Sequence, residues 1–120
     1  MAERGKRQEG YLWEEKAAEY LKQKGYRILQ RNFYSRYGEI DIVAKDREYL
    51  VFVEVKYRKN SRAGHPLEAV NDKKQKRICR TADWFCCRYG YKDGYPCRFD
   101  VIGITEEEIM HIENAFSYVY

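Results

Sequence analysis

Two segments rich in branched apolar residues restrict the fold more than any other part of the chain. Residues 39–45 and 50–57 alternate apolar and polar side chains, and the charged residues Asp46, Arg47 and Glu48 lie between them. A repeat of two residues is typical of a β-strand, and a short polar connection between two strands favours an antiparallel hairpin. We therefore expect a β-hairpin at the centre of a sheet.

The remaining elements follow from apolar spacing and from turn residues. They are a helix over 8–24, a strand over 26–33, a loop over 58–66, a helix over 72–89, a turn over 90–96, and strands over 97–105 and 109–115. At the start of the second helix, Asp72 followed by Gln75 resembles a capping box. The expected fold class is α/β, a mixed β-sheet flanked by helices in the order α-β-β-β-α-β-β.

The composition is that of one folded domain. The chain has 120 residues, of which 44% are hydrophobic and 35% charged, a balance that excludes wholesale disorder. We expect a single domain over residues 1–120. No apolar run approaches the roughly 20 residues that cross a bilayer, so no membrane segment is predicted. Residues 1–9 do not resemble a secretory signal, and we expect a cytoplasmic protein.

The four cysteines are expected to be thiols in a reducing compartment. Cys79 and Cys86 are seven positions apart on the second predicted helix, which fits small buried side chains. A zinc or redox protein built on the cysteines is the third and weakest function considered, because zinc sites favour closely spaced ligand pairs, whereas Cys97 and His111 lie far along the chain.

Positive charge is concentrated in one part of the chain. Every Lys and Arg lies within residues 1–98, and residues 56–80 hold nine cations against Glu68 and Asp72. Such a block suits a polyanion, because each phosphate contact releases counterions. A helix face that is merely solvated is the alternative.

The hairpin carries the candidate chemistry. Strand alternation places Glu54 and Lys56 on one face, and the hairpin connection decides whether Asp41 joins them. A four-residue connection pairs Lys45 with Leu50 and sets Asp41 directly opposite Glu54. A two-residue connection pairs Lys45 with Glu48 and sets Asp41 diagonally to Glu54 on the same face. A three-residue connection separates Asp41 from Glu54. Two carboxylates and an ammonium on neighbouring strands suit Mg²⁺ or Mn²⁺ and phosphodiester hydrolysis.

Two further acids are weighed beside this group. Glu14 lies on the side of the first helix that should face the sheet, so it could be a metal ligand or could pair with a surface cation. Glu39 could equally be a solvated neighbour. The ordinary alternative for the whole group is an exposed salt bridge between Lys56 and one of the carboxylates.

Several cations are candidate contacts to nucleic acid. Lys74 and Arg77 share one face of the second helix, and Arg58, Lys59 and Arg62 lie in the loop after the Glu54 strand. Other residues are interpreted more simply: Lys73 and Lys76 are expected to face solvent, Glu15 to be solvated, His65 to be a loop residue, and Tyr11, Tyr20 and Tyr57 to pack rather than stack on bases. Asp100 is expected to pair with a cation or to order the sheet, and is not counted as a metal ligand.

Longer strings of residues resemble a known family. Residues 38–44 (GEIDIVA) and 50–56 (LVFVEVK) resemble the YraN-like family of predicted nucleases, and more broadly the PD-(D/E)xK superfamily that includes Holliday-junction resolvases and restriction enzymes. Shorter pieces agree in the same order, around Glu14, at residues 25–26, 31–32 and 66–70, at Lys74 with Arg77, and at residues 98–102 and 114–116. The resemblance covers nearly the whole chain.

The resemblance implies a restriction-endonuclease-like core. In such a core Asp41 and Glu54 bind the divalent ion, Lys56 assists hydrolysis, and Glu14 contributes from the first helix. We therefore expect a metal-dependent endonuclease acting on DNA, which is favoured over structured RNA, with a homodimer suited to cutting two strands. The alternative is a nucleic-acid-binding module that acts in DNA processing without catalysis.

Overall fold

Two helices and five strands follow one another in the predicted order. The computed structural model describes residues 2–60, 62 and 64–120, with side chains described from Gly10 onward. The elements are α1 (Ala2–Gln23), β1 (Arg27–Ser35), β2 (Gly38–Asp46), β3 (Tyr49–Tyr57), a 3₁₀ helix (Pro66–Ala69), α2 (Asp72–Tyr89), β4 (Cys97–Ile104) and β5 (Ile109–Ile112). The α-β-β-β-α-β-β prediction is confirmed.

Element boundaries differ from the prediction mainly at the ends of the chain. Helix α1 begins six residues earlier than expected, at Ala2, and β5 ends at Ile112 instead of residue 115. Within the predicted 58–66 loop, Ser61 and Ala63 lie outside the described residues. Although α1 has 22 residues, no helix in the described part of the chain is long and apolar enough to cross a membrane.

The strands form one mixed sheet in the order β1-β2-β3-β4-β5. Strands β1, β2 and β3 pair antiparallel along the chain, and β4 pairs antiparallel with β5. Strand β4 lies parallel to β3. The connection through α2 returns the chain to the end of the sheet at which β3 begins. Strand β3 is therefore central, and Leu50, Val51, Phe52 and Val53 are all buried.

The two helices cover opposite faces of the sheet. On the α1 face, Ala17, Ala18 and Leu21 pack against side chains of β2, β3 and β4. On the other face, Ile78, Cys79, Ala82 and Phe85 of α2 pack against a second buried group that includes Phe33, Phe52 and Phe99. Two apolar layers thus enclose the sheet. A polar group buried between them destabilises the folded state unless it is hydrogen-bonded or paired with an opposite charge.

The N-cap of helix α2 lies one residue before the expected one. The cap is Asn71, whose side-chain oxygen accepts a hydrogen bond from the Lys74 amide at 2.9 Å, so the Asp72 capping box is a wrong prediction. Asn caps as well as Asp does, and Asp72 then places its charge in the first turn. The helix ends at Gly90 in the left-handed conformation, as glycine favours.

The segment before α2 packs tightly on the sheet. A Cβ atom at Gly103 of β4 would lie 2.1 Å from Cγ of Pro66. Only glycine leaves room for the 3₁₀ helix at this point, and the contact holds the end of the 58–66 loop against β4.

Candidate functional site

The pairing of β2 with β3 stops partway along both strands. It runs from Asp46–Tyr49 to Ile42–Val53, and it includes Lys45 with Leu50, the first of the hairpin registers considered. Beyond this point the Asp41 carboxylate takes the place of a backbone acceptor, and its Oδ2 accepts from the Val55 amide at 2.8 Å. The two strands therefore diverge where the predicted site begins.

Strand β2 is irregular at Asp41. Ile42 packs in the α1 layer and Ile40 packs in the α2 layer, although residues two apart in a regular strand share a face. The strict alternation assumed from the sequence does not hold here. As a result, the carboxylate of Asp41 meets a side chain of α1 instead of being confined to the face of Val43.

Three carboxylates meet at this irregularity, and we call them the acidic cluster. They are Glu14 of α1 with Glu39 and Asp41 of β2, and one oxygen from each lies within 4.8 Å of the others. Two of the sequence candidates, Glu14 and Asp41, are thus brought together. Glu39, for which a solvated position was equally open, is the third member.

Asn32 of β1 orients the cluster and was missed in the sequence. Its side-chain amide donates to Oε1 of Glu14 at 2.7 Å. Its backbone has φ of 54°, a left-handed conformation that few residues other than glycine adopt without strain, and Asn tolerates it best. An Asn inside a strand is itself unusual, and that was the available sequence signal.

The acidic cluster is electrostatically unfavourable without a cation. Asp41 is only 8% exposed, and burial raises its pKa to about 9, with the charge of Glu54 adding to the effect and the Val55 hydrogen bond opposing it. Burial also raises the pKa of Glu14, assisted by Glu39 and opposed by Asn32 and Arg31. Hard cations prefer oxygen ligands, so these residues fit a divalent ion that would remove the repulsion.

Glu54 lies beside the cluster and is bound by two lysines. Its carboxylate is 3.3 Å from Nζ of Lys56 and 3.0 Å from Nζ of Lys74. Glu54 is 6% exposed, so the pair with Lys56 exists but is not the exposed salt bridge of the ordinary interpretation. Burial opposes the charge on Lys74, but the interactions with its neighbours, led by Glu54, together raise the pKa of Lys74.

The other predicted cations are spread around this centre. Arg77 is exposed on α2 and lies near the start of β2. A Cβ atom added at Gly38 would be 3.9 Å from the Cβ of Arg77. Lys59 and Arg62 are exposed, as are Lys73 and Lys76 on α2. Arg58 is half-buried, and its Nε has no acceptor among the described residues. His65 is a loop residue as expected, and its Nδ1 accepts from the Leu67 amide at 3.2 Å.

A cleft of about 500 Å³ opens beside the acidic cluster. It is lined by Gly10, Tyr11, Glu14, Asn32, Tyr34 and Glu39. The packing prediction is wrong for Tyr11, which is 58% exposed, whereas Tyr57 does pack, stacked on Trp13 at 4.1 Å between ring centroids. Glu15 is not simply solvated, because it forms an ion pair with Arg31.

Asp100 lies across the central strand from the cluster. Val53 pairs with Ile42 on one side and with Asp100 on the other. The Asp100 carboxylate accepts from Nε of Arg98 at 2.9 Å, Nε2 of His111 at 2.7 Å and the Asn114 amide at 3.0 Å. Asp100 therefore pairs with the Arg98 cation within the sheet, as the sequence allowed.

The cysteines do not assemble a metal site in the described part of the chain. Cys79 is buried, as predicted, and burial raises the pKa of its thiol. All four cysteines are free thiols, and the three-residue group close enough to hold a metal consists of carboxylates only. The zinc interpretation therefore gains no support from the described residues.

The fold and site define a class: an α/β protein with a carboxylate-rich centre at the point where the middle strands of a mixed sheet diverge. Residues 13–104 match the family described as Uncharacterised protein family UPF0102, and the chain belongs to this family. This agrees with the YraN-like resemblance of residues 38–44 and 50–56.

Relatives match along most of their length. A UPF0102 protein of Lachnoclostridium phytofermentans is 50% identical over 92% of this chain and 94% of its own. One from Persephonella marina is 46% identical over 89% of this chain and 91% of its own, and one from Nitrosococcus oceani is 42% identical over 92% of each.

Proposed function

We propose that this protein is a divalent-metal-dependent nuclease that hydrolyses phosphodiester bonds in DNA as an endonuclease. The observation that carries the proposal is the acidic cluster, three carboxylate oxygens within 4.8 Å of one another, beside a buried Glu54 and Lys56. The order Glu14, Asp41, Glu54 and Lys56 along helix, strand and strand is also what the PD-(D/E)xK resemblance implies.

The metal would be Mg²⁺ or Mn²⁺, held by Glu14 and Asp41 with Glu39 beside them. Glu54, the other ligand candidate from the sequence, contributes charge to the same centre, because it is the neighbour with the largest charge effect on Asp41. A bound divalent ion would polarise the phosphate and an attacking water. The chain supplies the carboxylate oxygens that would hold the ion in place.

Lys56 and Lys74 are the proposed contacts to the phosphate oxygens. Both ammonium groups are held by one carboxylate, so their positions are fixed before substrate arrives. Hydrolysis places additional negative charge on the phosphate, and preorganised cations stabilise such charge. Lys56 and Lys74 would therefore bind the phosphate oxygens, while Arg58, Lys59, Arg62 and Arg77 contact the flanking backbone.

The first test is cleavage of single-stranded, duplex, flapped and four-way DNA with Mg²⁺ or Mn²⁺. Asp41→Asn and Lys56→Ala should each lower the rate by about 100-fold or more. Lys73→Ala is the matched control, because Lys73 is an exposed lysine next to Lys74 and should leave the rate unchanged. Cleavage that survives in both site variants would contradict the proposal.

A second readout tests the metal site apart from catalysis. Mn²⁺ at ten times its dissociation constant should raise the free energy of unfolding of the wild type by about 1.4 kcal/mol. Asp41→Asn should show little of this gain in thermal unfolding. Equal gains in both proteins would place the ion elsewhere.

A binding module without catalysis is the second candidate, and one observation favours it. Glu54 is already neutralised by two ammonium groups, which is how a carboxylate would be arranged in a site that needs no metal. In that case wild-type protein binds DNA and cuts none of the substrates, and binding depends on Lys74 and Arg77.

A further inference from the structure

Tyr34 of β1 presents an open aromatic face at the edge of the acidic cluster. It is 68% exposed, and it lines the same cleft as Glu14 and Glu39. Among the described residues, no aromatic ring or cation lies against its ring, whereas Arg31 lies over the neighbouring Tyr11 at 4.9 Å. An exposed aromatic ring beside the acidic cluster is a candidate ligand contact, because apolar surface in water is unfavourable.

The backbone that carries this ring is anchored in the sheet. The preceding residue, Phe33, is buried on the inner face of the strand and packs edge-on against Phe85, with 5.2 Å between ring centroids. A ligand that stacks on Tyr34 would therefore meet a ring whose backbone is already ordered.

We propose that Tyr34 stacks on an unpaired nucleobase next to the phosphate that the acidic cluster acts on. This inference rests on the proposed function and names its substrate class, DNA with unpaired nucleotides at the cut site. Bases inside a duplex already stack on both faces, so only an unpaired base can offer a face to the ring. Stacking also supplies attraction where the carboxylates alone would repel the backbone.

The test measures binding of short labelled oligonucleotides by fluorescence anisotropy, with Ca²⁺ in place of Mg²⁺ and the DNA checked afterwards for cleavage. Tyr34→Ala should weaken binding of single-stranded DNA by about 10-fold or more and leave duplex binding within about 2-fold of wild type. Tyr34→Phe keeps the ring and should bind nearly as wild type. Tyr120→Ala is the control, since Tyr120 is 95% exposed at the end of the chain and should change nothing.

An abasic oligonucleotide separates stacking from other effects. Wild type should bind it about 10-fold more weakly than the normal strand, whereas Tyr34→Ala should bind both equally. The inference is overturned if Tyr34→Ala binds like wild type, if it loses duplex binding to the same extent, or if wild type binds no DNA. Loss of stacking in Tyr34→Ala together with unimpaired cleavage by Asp41→Asn would instead overturn the proposed role of the acidic cluster, while the stacking of Tyr34 on an unpaired base would still hold.

Discussion

Two buried aspartates flank the central strand, and their surroundings are opposite. Asp100 receives hydrogen bonds from Arg98, His111 and the Asn114 amide, and although burial opposes its charge these partners lower its pKa. Burial and then the charge of Glu54 raise the pKa of Asp41 to about 9, and the hydrogen bond from the Val55 amide only partly opposes them.

The difference distinguishes a carboxylate whose charge is satisfied within the fold from one whose charge is not. The interactions of Asp100 are complete within the chain, so nothing further is required for it to be stable as an anion. Asp41 lies among carboxylates, so its ionised form would be stabilised by a cation from outside the chain. Both aspartates are buried, so burial alone does not distinguish them.

The largest effect is expected on the Asp100 side. Asp100→Asn leaves the Arg98 guanidinium buried with its ion pair reduced, and it should lower the free energy of unfolding by about 3 kcal/mol. Chemical denaturation at neutral pH measures this loss. A loss below about 1 kcal/mol would mean that Asp46, 2.9 Å from the same guanidinium, suffices as its partner.

Asp41→Asn should have the opposite sign in metal-free protein. Folded Asp41 is neutral at pH 7, as Asn is, whereas ionisation of Asp41 stabilises the unfolded chain, so the variant should raise the free energy of unfolding by about 1–3 kcal/mol at pH 7. Because the pKa of Asp41 is raised above its ordinary 3.8, the folded protein holds a proton that the unfolded chain has lost, and wild-type stability should fall as pH rises from about 4 to 9.

Denaturation at several pH values, with EDTA present, checks this dependence. The fall should be shallower in Asp41→Asn than in wild type. Asp100 gives a contrasting control, since its lowered pKa makes its contribution present above pH 3.8 and lost only in stronger acid. Equal pH profiles for wild type and Asp41→Asn would break the comparison.

The smallest effect is expected at Asn32. Asn32→Ala loses the hydrogen bond to Glu14 and places alanine at φ of 54°, so it should lower the free energy of unfolding by about 1–2 kcal/mol. Asn32→Gly removes the same hydrogen bond but accepts the backbone conformation, and should cost less. If the glycine variant is the less stable of the two, backbone strain at this position is not the cause.

The sequence predicted the fold where local pattern and burial agree. Strand β3 and helix α2 were placed to within one residue, because β3 is buried on both faces and α2 has both an apolar face and a terminal glycine. The start of α1 and the end of β5 were not, since residues 2–7 carry no regular apolar spacing and β5 gives way to a turn at Asn114, whose φ is 51°. The cap of α2 was misplaced because Asn71 and Asp72 are both good caps and only the backbone decides between them.

The candidate site was predicted in its parts but not in its arrangement. Alternation along β3 correctly placed Glu54 with Lys56, yet the break at Asp41 turns that carboxylate toward Glu14 and Glu39, which no periodic pattern can indicate. Lys74 was predicted to contact DNA, and its contact with Glu54 was not predicted. The distance between these two side chains depends on how α2 crosses the sheet. Such placements are tertiary and have no local signature in the chain.

The divergence of β2 from β3 leaves the Val55 amide without a strand partner. Past Ile42 and Val53, the β1–β2 ribbon and the β3–β4 pair form the two prongs of a fork, and the bond from Val55 to Asp41 bridges them. The same carboxylate therefore closes the gap in the sheet and belongs to the acidic cluster, so a substitution at Asp41 removes a backbone acceptor together with a cluster oxygen.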